Sequence, residues 1–166
     1  DNVRLANLRS GDIDMMHQVG PTDAANLRKE AKVEVSSVTG IAYSGITINL
    51  RNKNGKPPKP PGDLGTPLAN DPRVREAFDL SIDREALNKV VWDGQNTPGC
   101  TPISPVSPFY DKTRKCPTRD VAKAKKLLAD AGLAGGYSFE MVIVNDPPQR
   151  RVGEVIQGMA KEAGFN

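Results

Sequence analysis

Residues able to do acid–base, nucleophilic or metal chemistry are sparse and scattered in this chain. His17 is the only histidine, and a metal centre needs several nitrogen, sulfur or oxygen ligands converging on one point. The same residue lies far along the chain from Cys100 and Cys116, so spacing offers no nucleophile–base pair. No CxxC, G-x-x-x-x-G-K-[ST] or G-x-G-x-x-G pattern occurs, which argues against thiol redox chemistry and phosphate cradling. Asp12, Asp71, Asp83 and Asp120 stand where helix ends or turns would use them as caps. Neither catalysis nor a metal or other cofactor is expected.

Recognition chemistry remains. Asn145, Asp146, Gln149 and Arg150 cluster in one polar turn behind the apolar run 137–144. Amide and carboxylate groups supply donors and acceptors, and a guanidinium can meet a carboxylate with two parallel N–H bonds. In α/β proteins ligands sit beyond the carboxyl ends of strands, where polar loop residues project from a rigid edge. The turn 145–150 is therefore the expected ligand-facing wall. A plainer role stands beside it, in which Asp146 does no more than cap the following helix. The two cysteines also leave two readings: a disulfide closing the loop they flank, if the protein is exported, or two separate buried thiols.

The elements that must position these residues follow from periodicity. Within 71–94, Asp71 is a side-chain cap with Pro72 at the first helical position, and Val74, Ala77 and Phe78 form one apolar stripe. Asp83 restarts the pattern, with Glu85 in the first turn, Leu87, Val90 and Val91 as the second apolar face and Gly94 past the end. Further helices are expected over 2–9, over 21–32 with Thr22 as cap, after Thr118 as cap, and from about 152 to 163 with Gly164 closing it. Strands are expected at 12–17, 32–38, 41–50 and 137–144; 41–50 is the best of them, with Ile46, Ile48 and Leu50 on one face. Gly45 inside it marks a bulge or a close backbone approach. The fold class that follows is α/β, of the mixed α+β kind.

Composition bounds the rest. With 37% apolar and 5% aromatic residues, a chain of this length can bury a modest aliphatic core. The net charge of +3 is spread out; its densest basic runs, 53–59 and 123–126, read as a loop and a solvated helix face, so nucleic acid is not an expected partner. No apolar run is long enough to span a membrane. Five prolines fall in 51–70, where 53–65 is expected to be the most mobile internal segment. Its PPKPP core reads either as solvated filler or as a polyproline II ligand for another protein. That second reading makes the chain a non-enzymatic structural or interaction module.

The order of residues in DPRVREAFDLSIDREAL, at 71–87, resembles the D-x-R-V-R-x-A-x-x-x-x-[IL]-D-R signature of the family 5 extracellular solute-binding proteins. These are the peptide-, nickel- and opine-type receptors of ABC importers. SGDIDM at 10–15 and AKKLLADAG at 124–132 agree in the same order, so the resemblance runs over nearly the whole chain. It implies part of a class II periplasmic-binding-protein-like bilobal fold. Residues 1–50 would be the end of the first lobe with an inter-lobe crossover strand, 51–70 a proline-rich loop, and 71–166 the helix-rich part of the second lobe. It implies an internal piece of a larger, monomeric receptor, periplasmic or extracellular, with a lipoprotein anchor as one route to the membrane. The partners implied are a peptide or other small-molecule solute and an ABC permease in the membrane. Tyr43, Ser44 and Gly45 would lie near the ligand cleft and assist the 145–150 wall, unless 41–50 is an ordinary strand with a solvated polar face.

Overall fold

A computed structural model describes residues 2–50 and 64–166, and the PPKPP core of the proline-rich loop lies outside the described residues. So does all but the end of the 53–65 segment. Seven helices are described: α1 (Asn2–Ser10), α2 (Pro21–Leu27), α3 (Pro67–Asn70), α4 (Pro72–Ser81), α5 (Arg84–Trp92), α6 (Val121–Asp130) and α7 (Pro147–Glu162).

Their starts follow local chemistry. Pro72 opens α4 at a position whose N–H would have no partner, and Asp71 Oδ1 accepts from Arg73 N at 2.8 Å. Asp83 caps α5 by accepting from Ala86 N at 2.9 Å. Two expected caps are displaced. Thr22 does not cap α2: Pro21 stands at its start, and Gly20 before it takes the extended backbone (ψ 152°) that a residue preceding proline favours. Thr118 does not cap α6: Asp120 does, accepting from Lys123 N at 2.8 Å while its own N–H donates to Leu80 O at 2.9 Å. That long-range bond fixes the helix start two residues later than local sequence suggests. The short α3 was not expected; Thr66 Oγ1 and Pro67 give it the same cap-and-proline start.

The core lies where α4, α6 and α7 meet. Val74, Ala77 and Phe78 of α4 pack with Ala124 and Leu128 of α6 and with Ile156 and Ala160 of α7. Phe78 meets Phe139 and Phe165 edge to face, with ring centroids 5.2 and 5.4 Å apart, the arrangement that aromatic quadrupoles favour. In α5 the expected inward face is met in part: Leu87 packs against the core, but Val90 is exposed and Asn88 is buried. Asn88 closes the following turn, donating from Nδ2 to Asn96 O at 2.7 Å and accepting from Asn96 N at 3.2 Å.

The motif at 71–84 consists of structural parts. Besides the caps Asp71 and Asp83, Arg73 reaches Asp130 O at the end of α6 at 2.6 Å. Arg75 ties α3 to α4 through Leu68 O and Ala69 O, at 3.1 and 2.8 Å. Arg84 pairs with Asp79.

The α/β expectation is met only in its helical half. Among the described residues, none of 12–17, 32–38, 41–50 or 137–144 forms a strand. A strand exists only where a neighbour takes up its alternating N–H and C=O groups, and here only 137–139 has such a neighbour. Tyr137 N donates to Gly164 O (2.9 Å), Asn166 N to Tyr137 O (3.0 Å) and Phe139 N to Asn166 O (2.9 Å). The result is one parallel bridge between Tyr137 and Phe165. Gly136 permits this approach: its φ is +95°, and a Cβ there would stand 2.6 Å from Gly164 O.

Candidate functional site

The polar turn expected to face a ligand forms the start of α7. Asp146 is its cap, with Oδ1 accepting from Gln149 N at 2.9 Å, while Arg150 N reaches back to Asp146 O at 3.0 Å. Asp146 N in turn donates to Val144 O at 2.9 Å, so the turn is held on both sides. Asn145 and Arg150 are exposed, and Asp146 and Gln149 are half-buried. The plain reading of Asp146 as a cap is therefore correct as far as it goes. It commits one oxygen of the four-residue polar set and leaves the amide of Asn145 and the guanidinium of Arg150 facing outward.

Arg150 also stands at the rim of an open groove of about 320 Å³ between residues 139–143 and α7. Phe139, Met141, Ile143 and Ile156 line its floor, and Arg150, Glu154 and Gln157 supply the polar rim. Phe78, Ala160 and Phe165 also line it, so the groove is an open edge of the hydrophobic core beside 139–143.

Tyr43, Ser44 and Gly45 are all exposed, Tyr43 at 63%. The Tyr43 ring lies over Gly45, where an added Cβ would be 3.4 Å from Cε2. Neither the bulge nor the close backbone approach expected at Gly45 is seen among the described residues: 41–50 forms no strand, and the only atoms near such a Cβ belong to the Tyr43 ring. Among the described residues no hydrogen bond or ion pair joins Tyr43, Ser44 or Gly45 to the 145–150 turn.

Cys100 and Cys116 form a disulfide, with Cα atoms 5.4 Å apart. It ties the segment after α5 to the segment before α6. Sequence reasoning missed Ser104, which sits inside that disulfide-closed loop, buried, and donates from Oγ to Gly40 O at 2.8 Å. A serine among prolines carries no signal of such a role. His17 accepts at its main-chain oxygen from Arg4 Nη2 at 2.8 Å.

The family model described as "Bacterial extracellular solute-binding proteins, family 5 Middle" matches residues 1–166. The chain belongs to family 5 of these solute-binding proteins. Among curated family members, it is 26% identical over 161 residues to the dipeptide-binding protein of Escherichia coli (strain K12), covering 94% of this chain and 28% of that protein. It is 32% identical over 138 residues to the glutathione-binding protein GsiB of Escherichia coli O1:K1 / APEC, covering 83% and 24%. The chain therefore spans about a quarter of the length of these relatives. In structure it is similar to a crystallised ABC transporter substrate-binding protein from Sinorhizobium meliloti, with a TM-score of 0.58, 26% identity, and coverage of 99% of this chain and 35% of that one. This likeness is consistent with a periplasmic-binding-protein fold. Among the described residues no helix is long and apolar enough to cross a membrane.

Proposed function

We propose that this chain forms part of a non-catalytic ABC-import receptor, which captures a peptide-like or other small solute and delivers it to a membrane permease. The observation that carries the reading is the family 5 match over the whole chain. The dipeptide- and glutathione-binding relatives make a short peptide the first solute class to test. In this reading residues 1–50 end one lobe and supply a crossover, 71–166 contribute to the other, and strands missing among the described residues pair with further chain to complete an α/β sheet. The receptor works as a monomer in the periplasm or outside the cell, with a lipid anchor as one route to the membrane.

The solute meets the wall formed by Asn145, Asp146, Gln149 and Arg150, with Tyr43, Ser44 and Gly45 on the approaching side. Arg150 takes a carboxylate, Asn145 and Gln149 take peptide groups, and the Tyr43 ring covers apolar surface. Closure of two lobes buries the solute, and ligand binding energy favours the closed state.

The test is thermal unfolding of the full-length protein with a panel of di- and tripeptides, glutathione included. A ligand at a hundred times its Kd stabilises the native state by about 2.7 kcal/mol, a readily measured shift. Failure of the whole panel, with non-peptide molecules retained through native purification and identified by mass spectrometry, would remove the peptide class.

A further inference from the structure

Residues 34–50 contain no helix, and they expose Val38, Ile41, Tyr43 and Ile46. A hydrogen bond crossing 64 residues of sequence pins this segment to the disulfide-closed loop: Ser104 Oγ donates to Gly40 O at 2.8 Å. Ser104 is only 7% exposed, and its surroundings hold it in place. Its carbonyl accepts from Ser107 N at 2.9 Å, while Thr101 Oγ1 both donates to Ile103 O (3.2 Å) and accepts from Ile103 N (3.4 Å). The Cys100–Cys116 bond then closes the loop around these local contacts. The anchored atom, Gly40 O, lies three residues before Tyr43.

We propose that Ser104 is a positioning residue for solute binding: it fixes the main chain at Gly40 and thereby places Tyr43, Ser44 and Gly45. This rests on the reading of those three residues as part of the ligand wall. The physical argument concerns order rather than contact. Residues 40–45 form neither helix nor strand, so any ordering they undergo on ligand binding subtracts from affinity. An anchor made beforehand reduces the cost, provided the anchor itself is rigid. The disulfide supplies rigidity by restricting the loop that carries Ser104. Reduction of the disulfide should therefore loosen residues 40–45 even though neither cysteine touches them.

Two readouts on the full-length protein test this. The first is the rate of chymotryptic cleavage after Tyr43 without ligand, which reports the freedom of the segment. The second is affinity by calorimetry for the solute found in the unfolding screen. Ser104→Ala should raise the cleavage rate and weaken binding, each by roughly three- to tenfold, the range for loss of one neutral hydrogen bond. Unchanged cleavage overturns the proposal, and so does faster cleavage with unchanged affinity. Tyr43→Ala separates this from the wall reading. If that variant binds normally, the wall reading fails, while the ligand-free cleavage rate still decides whether Ser104 holds the segment. Should Ser104→Ala not fold, native protein reduced with a phosphine gives the same readout: faster cleavage after Tyr43 supports the proposal, and an unchanged rate overturns it.

Discussion

Asp146 is where the structural and ligand-facing roles of the 145–150 turn can be pulled apart. Its Oδ1 accepts from Gln149 N at 2.9 Å, at the head of a 16-residue helix that supplies Ile156 and Ala160 to the core. Removing a side-chain cap costs about 1 kcal/mol, and losing a carboxylate beside the positive end of a helix dipole adds roughly 0.3–1 kcal/mol. Asp146→Ala loses both terms, about 1.5 kcal/mol together. Asp146→Ser keeps an acceptor oxygen and loses only the charge, so it should cost a few tenths of a kcal/mol, about the lower end of the dipole range. Urea denaturation of the full-length protein reads the difference as a midpoint lowered clearly in Asp146→Ala and little in Asp146→Ser. Because the cap already engages Asp146, binding should depend more on Asn145 and Arg150. Calorimetry should find Asn145→Ala and Arg150→Ala weaker binders than Asp146→Ser. Equal destabilisation by Ser and Ala would refute the cap argument. Loss of binding in Asp146→Ser, with normal binding in the other two, would refute the division of roles.

The core offers a second measurement: Leu128, 2% exposed between α4 and α7, should cost about 2–5 kcal/mol on change to Ala, read as a lowered denaturation midpoint. Alkylation under non-reducing, denaturing conditions should leave Cys100 and Cys116 unmodified, and reducing their bond should lower stability by roughly 3 kcal/mol on loop-closure grounds. Acid should destabilise with a definite sign. Hydrogen bonds from the Arg73 side chain lower the Asp71 pKa, those from Arg9 lower that of Glu30, and the Thr113 hydroxyl lowers that of Asp111. The unfolded chain then takes up these protons first, so stability present above about pH 4 is lost as pH falls further, and Asp71→Asn should flatten that fall in pH-dependent denaturation curves. The 166 residues by themselves should show no calorimetric binding of dipeptides or glutathione, because parts of two lobes without the rest of either provide too few contacts to offset the entropy of association.

What was legible in the sequence was local. Asp71 with Pro72, Asp83, and the stripe Val74, Ala77 and Phe78 need only neighbouring residues to act, and the structure uses each as expected. Where the expectation failed, a distant partner decided. Asp120 displaced Thr118 as the α6 cap because its N–H binds Leu80 O. Asn88 displaced Val90 from the interior because the turn at Asn96 required its amide. The strands failed for the same reason on a larger scale. Alternation in 41–50 states which face a strand would bury, but not which chain would pair with it, and among the described residues it forms no strand.

That division bears on the candidate site. The 145–150 turn was read in part: Asp146 is the cap that the plainer reading named, but α7 begins at Pro147 and not near 152. The second patch could be named only through the family resemblance, since nothing near Tyr43 in sequence says what it faces. Its placement depends on a hydroxyl that holds Gly40 from 64 residues along the chain, in a loop closed by a disulfide. The two halves of the proposed wall therefore differ in how they can be damaged. The α7 start is built from its own helix and should tolerate changes elsewhere, whereas the Tyr43 patch should respond to substitutions in the 100–116 loop that never approach a ligand.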